Sequence, residues 1–326
     1  MSNHPPTADQ EAILRTLAYY DVFDYPLTID ELWRWLFPRP GSRLMVKDQA
    51  QLETVVTEMA TAHELEQLGG YITLPGRIEI IEIRTTRTLV GQKKWSRATT
   101  TAKFLEIVPF VKMVAVVNTL AIDNARPESD IDLLIVTAPQ HIWLARMMVT
   151  GIVSMLGYRR SGGRAATKIA NQICLSFYVT TDALDMEPLK RGPDDPHFAF
   201  WTAQAVPLLD DGTYLHYQAA NGWITELLPH AWSWDWQQKV LVPSAGLRSI
   251  KQFYQIFLST PIGLWIENWV RQRQRRRFER DTESRSRESD SDVVISEDVL
   301  KFHEHDRRLE YRQKFQVRLR TLGIDP

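Results

Sequence analysis

Two apolar runs with an acidic mouth between them limit what this chain can become more than any other feature. Residues 113–117 (MVAVV) and 131–136 (IDLLIV) are short and β-prone, and residues 124–129 between them form a polar loop with a Pro. Asp130 and Asp132 stand two apart where the second run begins. Side chains alternate faces along a strand, so residues i and i+2 point the same way. The pair therefore converges on one spot while Ile131 faces the opposite layer. Two like charges held together are costly unless a cation neutralises them. Hard carboxylate oxygens suit Mg2+ or Mn2+ arriving with a nucleoside triphosphate. Ions so held activate an acceptor oxygen and stabilise a leaving pyrophosphate. An Asp-x-Asp pair alone is also common at exposed strand ends.

The residues ahead of the pair add to it. A strand, the small polar pair Asn118-Thr119, ten residues, then Asp-Ile-Asp in an apolar strand resembles the nucleotidyltransferase superfamily of DNA polymerase beta, whose pattern is Gly-Ser, a similar interval, then Asp-x-Asp. More loosely, TLAYYDVFDYPLT (residues 16–28) and KFHEHDRR (residues 301–308) look like the flanks of bacterial nucleotidyltransferase-domain proteins. The resemblance implies an α/β (α+β) core, a mixed sheet with helices. It also implies transfer of a nucleoside monophosphate from a triphosphate to an acceptor, with release of pyrophosphate. Asp130 and Asp132 are then the catalytic metal ligands, Thr119 the phosphate-binding hydroxyl and Asn118 a backbone contact to phosphate. Ser129, Arg146 and Lys168 complete the nucleotide-binding set, the two cations for charge neutralisation. For Arg146 a purely structural place on its helix is the alternative.

Two departures from the family pattern stand out. Asn118 occupies the Gly position, and Asn tolerates positive φ better than most residues. The family's third carboxylate is expected from a later strand, here residues 172–179 (QICLSFYV), which carry none on either face. Cys174, Ser176 and Tyr178 are assigned to one face, Leu175, Phe177 and Val179 to the other. A catalytically silent nucleotide-binding or scaffold relative is therefore the alternative to an active enzyme.

Around this core the chain divides by charge. Residues 1–75 hold 5 Lys and Arg against 11 Asp and Glu, and read as helix, helix, helix, hairpin, the order of a winged helix. Thr28 with Glu31 is a capping box, and Gly69-Gly70 suits a hairpin turn. Duplex DNA is bound largely through Lys and Arg on phosphates, yet the third helix carries Asp48, Glu53, Glu58 and Glu64. A docking module is the better reading; a DNA-binding regulator is the more distant one. Residues 77–107 predict a long helix with Arg84, Arg87, Lys93, Lys94, Arg97 and Lys103 on a solvated face, or alternatively on a cationic wall beside a phosphate site.

The C-terminal third predicts mainly helices. Residues 198–228 read as helices broken at Pro207 and at 210–212, followed by tryptophans at 223, 232, 234 and 236 suited to domain packing. Residues 247–280 predict a helix in two parts around Pro261, ending in Arg271, Arg273, Arg275, Arg276 and Arg277. That basic end is a solvated terminus or, alternatively, a contact for an anionic membrane surface or RNA. Residues 279–292 lack apolar side chains and predict a loose loop, and residues 293–322 a terminal helix. The domains expected are a winged-helix-like unit (1–76), a nucleotidyltransferase domain with its basic lead-in helix (77–225) and a helical C-terminal region (226–326).

One cysteine, Cys174, excludes an intramolecular disulfide and any multi-cysteine zinc site. No run reaches the roughly 18 apolar residues of a membrane span, and the polar first ten residues lack a secretory signal. A cytoplasmic protein is expected, with a nucleoside triphosphate and Mg2+ or Mn2+ as ligands. RNA, protein and small-molecule acceptors all remain open.

Overall fold

The structure, a computed structural model, describes residues 5–160, 169–192, 195–283, 292–303 and 307–325. It opens with α1 (Ala8–Asp21), α2 (Ile29–Arg34), α3 (Gln49–Thr61) and the hairpin β1 (Glu66–Leu68)–β2 (Tyr71–Thr73). Thr7 with Gln10, and Thr28 with Glu31, close reciprocal capping boxes that start α1 and α2. Gly69 and Gly70 take φ of 60° and 83°, the double positive φ that a two-residue hairpin turn demands. Leu27, between α1 and α2, bridges Ile72 of β2.

α4 (Ile80–Leu105) then leads to β3 (Val111–Val116), the single turn α5 (Asn118–Ala121), β4 (Ile131–Thr137), α6 (Ile142–Met155) and β5 (Ile173–Thr180). After these come α7 (Pro196–Ala203), β6 (Val206–Asp210), α8 (Thr213–Ala220), α9 (Ala245–Leu258) and α10 (Pro261–Glu283). The chain closes with β7 (Asp292–Ile295), β8 (Val299–His303) and α11 (Arg308–Thr321). The six-stranded mixed sheet runs β6-β3-β4-β5-β8-β7. Among the described strands only β4 and β5 are parallel neighbours, and α6 makes the crossover such a pair needs.

Alternation sorts each strand between two layers. Val114, Val116, Leu133, Ile135 and Tyr178 face α4, α6 and α10, while Ala115, Leu134, Val136, Phe177 and Val179 face α7 and α8. A third apolar cluster joins α1, α2 and α3 to Phe200 of α7 and to Phe315 and Leu319 of α11. The boundaries expected at 76 and 225 thus fall among segments that share their cores.

Four expectations are corrected here. The basic residues of α4 do not form one solvated face, because four of the six bind protein groups: Arg84 binds Glu31 and the Pro26 carbonyl, and Arg87 the Phe23 carbonyl and Asn124. Lys94 donates to the Ser129 carbonyl, and Arg97 to that of Asn171. These side chains pin loops whose carbonyls lack secondary-structure partners, while Lys93 and Lys103 stay exposed. Residues 206–210 form an edge strand rather than a helix end. Pro207 fits there because its pairing with Ala115 falls at a register shift. Residues 292–303 form two strands: β8 adds to the edge of β5, and the β-branched run of Val293, Val294 and Ile295 in β7 pairs with β8. Of the loop expected at 279–292, residues 279–283 continue α10 and Asp292 opens β7; residues 284–291 lie outside the described residues.

Candidate functional site

β3 ends where Asn118 adopts φ of +61°. That left-handed step turns the chain off the sheet into α5 and aims the Asn118 side chain back at β4. Its amide nitrogen donates to a carboxylate oxygen of Asp132 at 2.8 Å, and the Val117 N–H donates to the Asp132 carbonyl at 3.1 Å. Asp132 therefore has both its backbone and its side chain fixed by the β3–α5 turn. Asp130, one step before β4, accepts an ion-paired hydrogen bond from Arg160.

The two carboxylates do converge. Asp132 pairs in register with Cys174 of β5, and oxygens of Asp130 and Asp132 and the Cys174 sulfur all lie within 4.8 Å of one another. A register shift follows immediately, so that Leu134 pairs with Phe177. This shift corrects the face assignment for β5: Cys174 and Phe177 share the Asp132 face, while Tyr178 packs into the opposite layer.

Burial, and secondarily the charge of Asp132, pushes the Asp130 carboxyl above its usual range, with Arg160 pulling the other way. Burial pushes the Cys174 thiol well up, and the two aspartates add to it. The thiol keeps its proton and donates to the Ser176 hydroxyl at 3.2 Å. The paired carboxylates fit a hard divalent ion through oxygen, while the protonated soft sulfur does not. Among the described residues, this cluster contains no third carboxylate.

Asp130 and Asp132 open onto a cavity of about 410 Å3 that Asn118, Thr119 and Ser129 also line. Five of the sequence-assigned residues thus meet at one place. Ser129 is held there locally, its hydroxyl donating to the Arg126 carbonyl at 2.9 Å. Arg146 is not among them: it packs against Tyr178, Phe278 and Phe302 and bonds Gln274, in the layer across the sheet. Its helix covers the face opposite Asp132, so the structural alternative describes it. Lys168 lies outside the described residues.

The far wall was not foreseen. Tyr19 of α1 and Phe23 just after it, His197 and Trp201 of α7, Lys301 of β8 and Tyr311 of α11 complete the cavity, together with Arg307 and Arg308. The Tyr19 hydroxyl meets the His197 Nδ1 at 2.9 Å, and the Phe23 and Tyr311 rings lie 5.0 Å apart edge to face. Arg308 pairs with Asp195 at 2.8 Å, both side chains buried. The Lys301 ammonium sits 5.6 Å from the Phe198 ring centre. A signal for this wall was present, since the two flanking segments that carried the looser resemblance contribute Tyr19 and Phe23, and Lys301, Arg307 and Arg308. Comparison of the chain with protein-family models, with curated proteins and with solved structures finds no match.

Proposed function

We propose that the cavity binds a nucleoside triphosphate with Mg2+ or Mn2+ and that the protein is a nucleotidyltransferase. The observation that carries this reading is the convergence of Asp130 and Asp132 at the mouth of a cavity that Asn118 and Thr119 also line. Asp130 and Asp132 would hold the metal, which when bound offsets phosphate charge and stabilises the leaving pyrophosphate. Asn118 holds Asp132 in place through its amide and leaves the Asp132 carboxylate with lone pairs toward the cavity. The Thr119 hydroxyl is exposed at the same wall and can donate to a phosphate oxygen. Arg160 pairs with Asp130 and offsets its charge. The aromatic wall of Phe23, His197 and Tyr311 supplies stacking surface for a base or for the acceptor.

A second reading, a nucleotide-binding relative without turnover, is favoured by Cys174 standing where a third acid would complete the site. The winged-helix regulator is disfavoured, because the exposed face of α3 presents Glu53 and Glu58, which repel a polyanion. Titration calorimetry of the protein with a non-hydrolysable triphosphate and Mn2+ tests the site. Binding is expected, and Asp130→Asn with Asp132→Asn should abolish its metal dependence; unchanged heats in that double variant would defeat the assignment. Release of pyrophosphate from labelled triphosphates separates the enzyme from the silent relative.

A further inference from the structure

The hairpin of α9 and α10 is turned inside out relative to an ordinary surface helix pair. Along α9, Ile250, Phe253, Tyr254 and Phe257 fall at i, i+3, i+4 and i+7, and all are exposed, Phe253 at 68%. On α10, Ile262, Trp265 and Trp269 repeat the pattern, Trp265 also at 68%. Apolar stripes at this spacing normally face a core. The opposite side of α10 does so, with Val270 buried and Glu267 bonded to backbone of α6. The turn joining the helices is tight. A Cβ at Gly263 would fall 1.9 Å from the Leu258 carbonyl oxygen, so the end of α9 and the start of α10 are in direct backbone contact.

From residue 244 to 276 the exposed charge of the hairpin has one sign. Residues 244–276 include six Lys and Arg and a single acid, the buried Glu267. Lys251 is tied to the Val111 carbonyl, and Arg271 and Arg275 pair with Glu297. Arg248, Arg273 and Arg276 are exposed, and the Arg273 guanidinium lies 5.7 Å from the Trp269 ring centre. An aromatic stripe edged by arginine matches the boundary of an anionic bilayer, where rings enter the headgroup zone and cations meet lipid phosphates. A second copy of the chain fits less well. A two-fold contact sets the same patch against itself, bringing these arginines toward their own counterparts.

We propose that the α9–α10 hairpin is a peripheral membrane-docking surface selective for anionic lipid. No helix among the described residues is long and apolar enough to cross a bilayer, so the contact is with one leaflet's surface. This inference is independent of the chemistry at Asp130 and Asp132.

Co-sedimentation of the full chain with vesicles tests it. The protein should pellet with mixed phosphatidylcholine–phosphatidylglycerol vesicles and remain in solution with phosphatidylcholine alone. Phe253→Gln with Trp265→Gln should lower partitioning about tenfold or more. Arg273→Gln with Arg276→Gln should lower it about tenfold and flatten its salt dependence. All four side chains are exposed, so circular dichroism of both variants should match the parent. Failure of the parent to pellet with the anionic vesicles overturns the proposal, as does binding insensitive to the aromatic substitutions. A concentration-dependent dimer in sedimentation velocity, dissolved by Phe253→Gln with Trp265→Gln, would assign the patch to a second copy and overturn it too.

Discussion

Asn118 does two jobs with one side chain: it tolerates a left-handed backbone and donates to Asp132. The two can be separated. Asn118→Gly keeps the backbone accessible and loses only the hydrogen bond, a cost of about 0.5–1.5 kcal/mol. Asn118→Ala loses the same bond and adds a left-handed penalty of about 1–2 kcal/mol. The Ala variant should therefore unfold at lower urea than the Gly variant, and the reverse order would show that the turn does not require positive φ. At this scale the candidate site was readable where its residues lie on one strand and its adjoining turn, because strand alternation alone sets Asp130 beside Asp132. Arg160 and the placement of Cys174 were not readable. The first depends on a segment that pairs with Ile173 through an isolated bridge, the second on a register shift within the β4–β5 pair.

Between elements, the link of α10 to α6 is the most exposed to titration. α6 has no side-chain cap of its own, and Glu267 of α10 supplies one from outside, accepting from the Trp143 and Leu144 N–H groups at 2.9 and 2.8 Å. Burial nevertheless pushes this carboxyl up to about 7, against the pull of those two N–H groups. A carboxyl raised on folding holds its proton more tightly in the native state than in the unfolded one. Its contribution to stability is thus complete below the unfolded value and is lost as pH rises through about 7. The loss is on the order of 3 kcal/mol as an upper bound. Urea unfolding of the parent and of Glu267→Gln between about pH 5 and about pH 8 should show a falling slope in the parent that the variant lacks. Parallel profiles would refute it. Helices with caps and periodic faces were legible in the sequence, α1 to α4 and the break of α9 from α10 at Pro261 among them. The strands β6, β7 and β8 were not, because short apolar runs suit either state and were decided by sheet edges that only the assembled fold provides.

In the whole molecule the cavity exists because distant segments of the chain meet. α11 lays Phe315 and Leu319 into the core of α1, α2 and α3, and Arg318 joins Arg77 on Asp21. Arg308 and Asp195 lock α11 to the start of α7 with both side chains buried. Breaking such a pair from one side leaves an uncompensated charge, so Arg308→Met should cost about 3–5 kcal/mol. Adding Asp195→Asn, which keeps an acceptor for the Phe198 N–H, should restore part of it. Thermal unfolding of the single and double variants checks this, and a double variant no more stable than the single would contradict it. Charge and pattern divided the sequence into three segments, but apolar contacts across them could not be seen in it, since no local period reports which helix a buried Phe will touch. Because Lys301, Arg308 and Tyr311 help enclose the aspartates, a growing polypeptide carries its paired acids long before it can close the cavity over them. Until residues beyond 311 have left the ribosome, the wall that α11 supplies is missing and the two acids stand before an open cleft rather than a chamber.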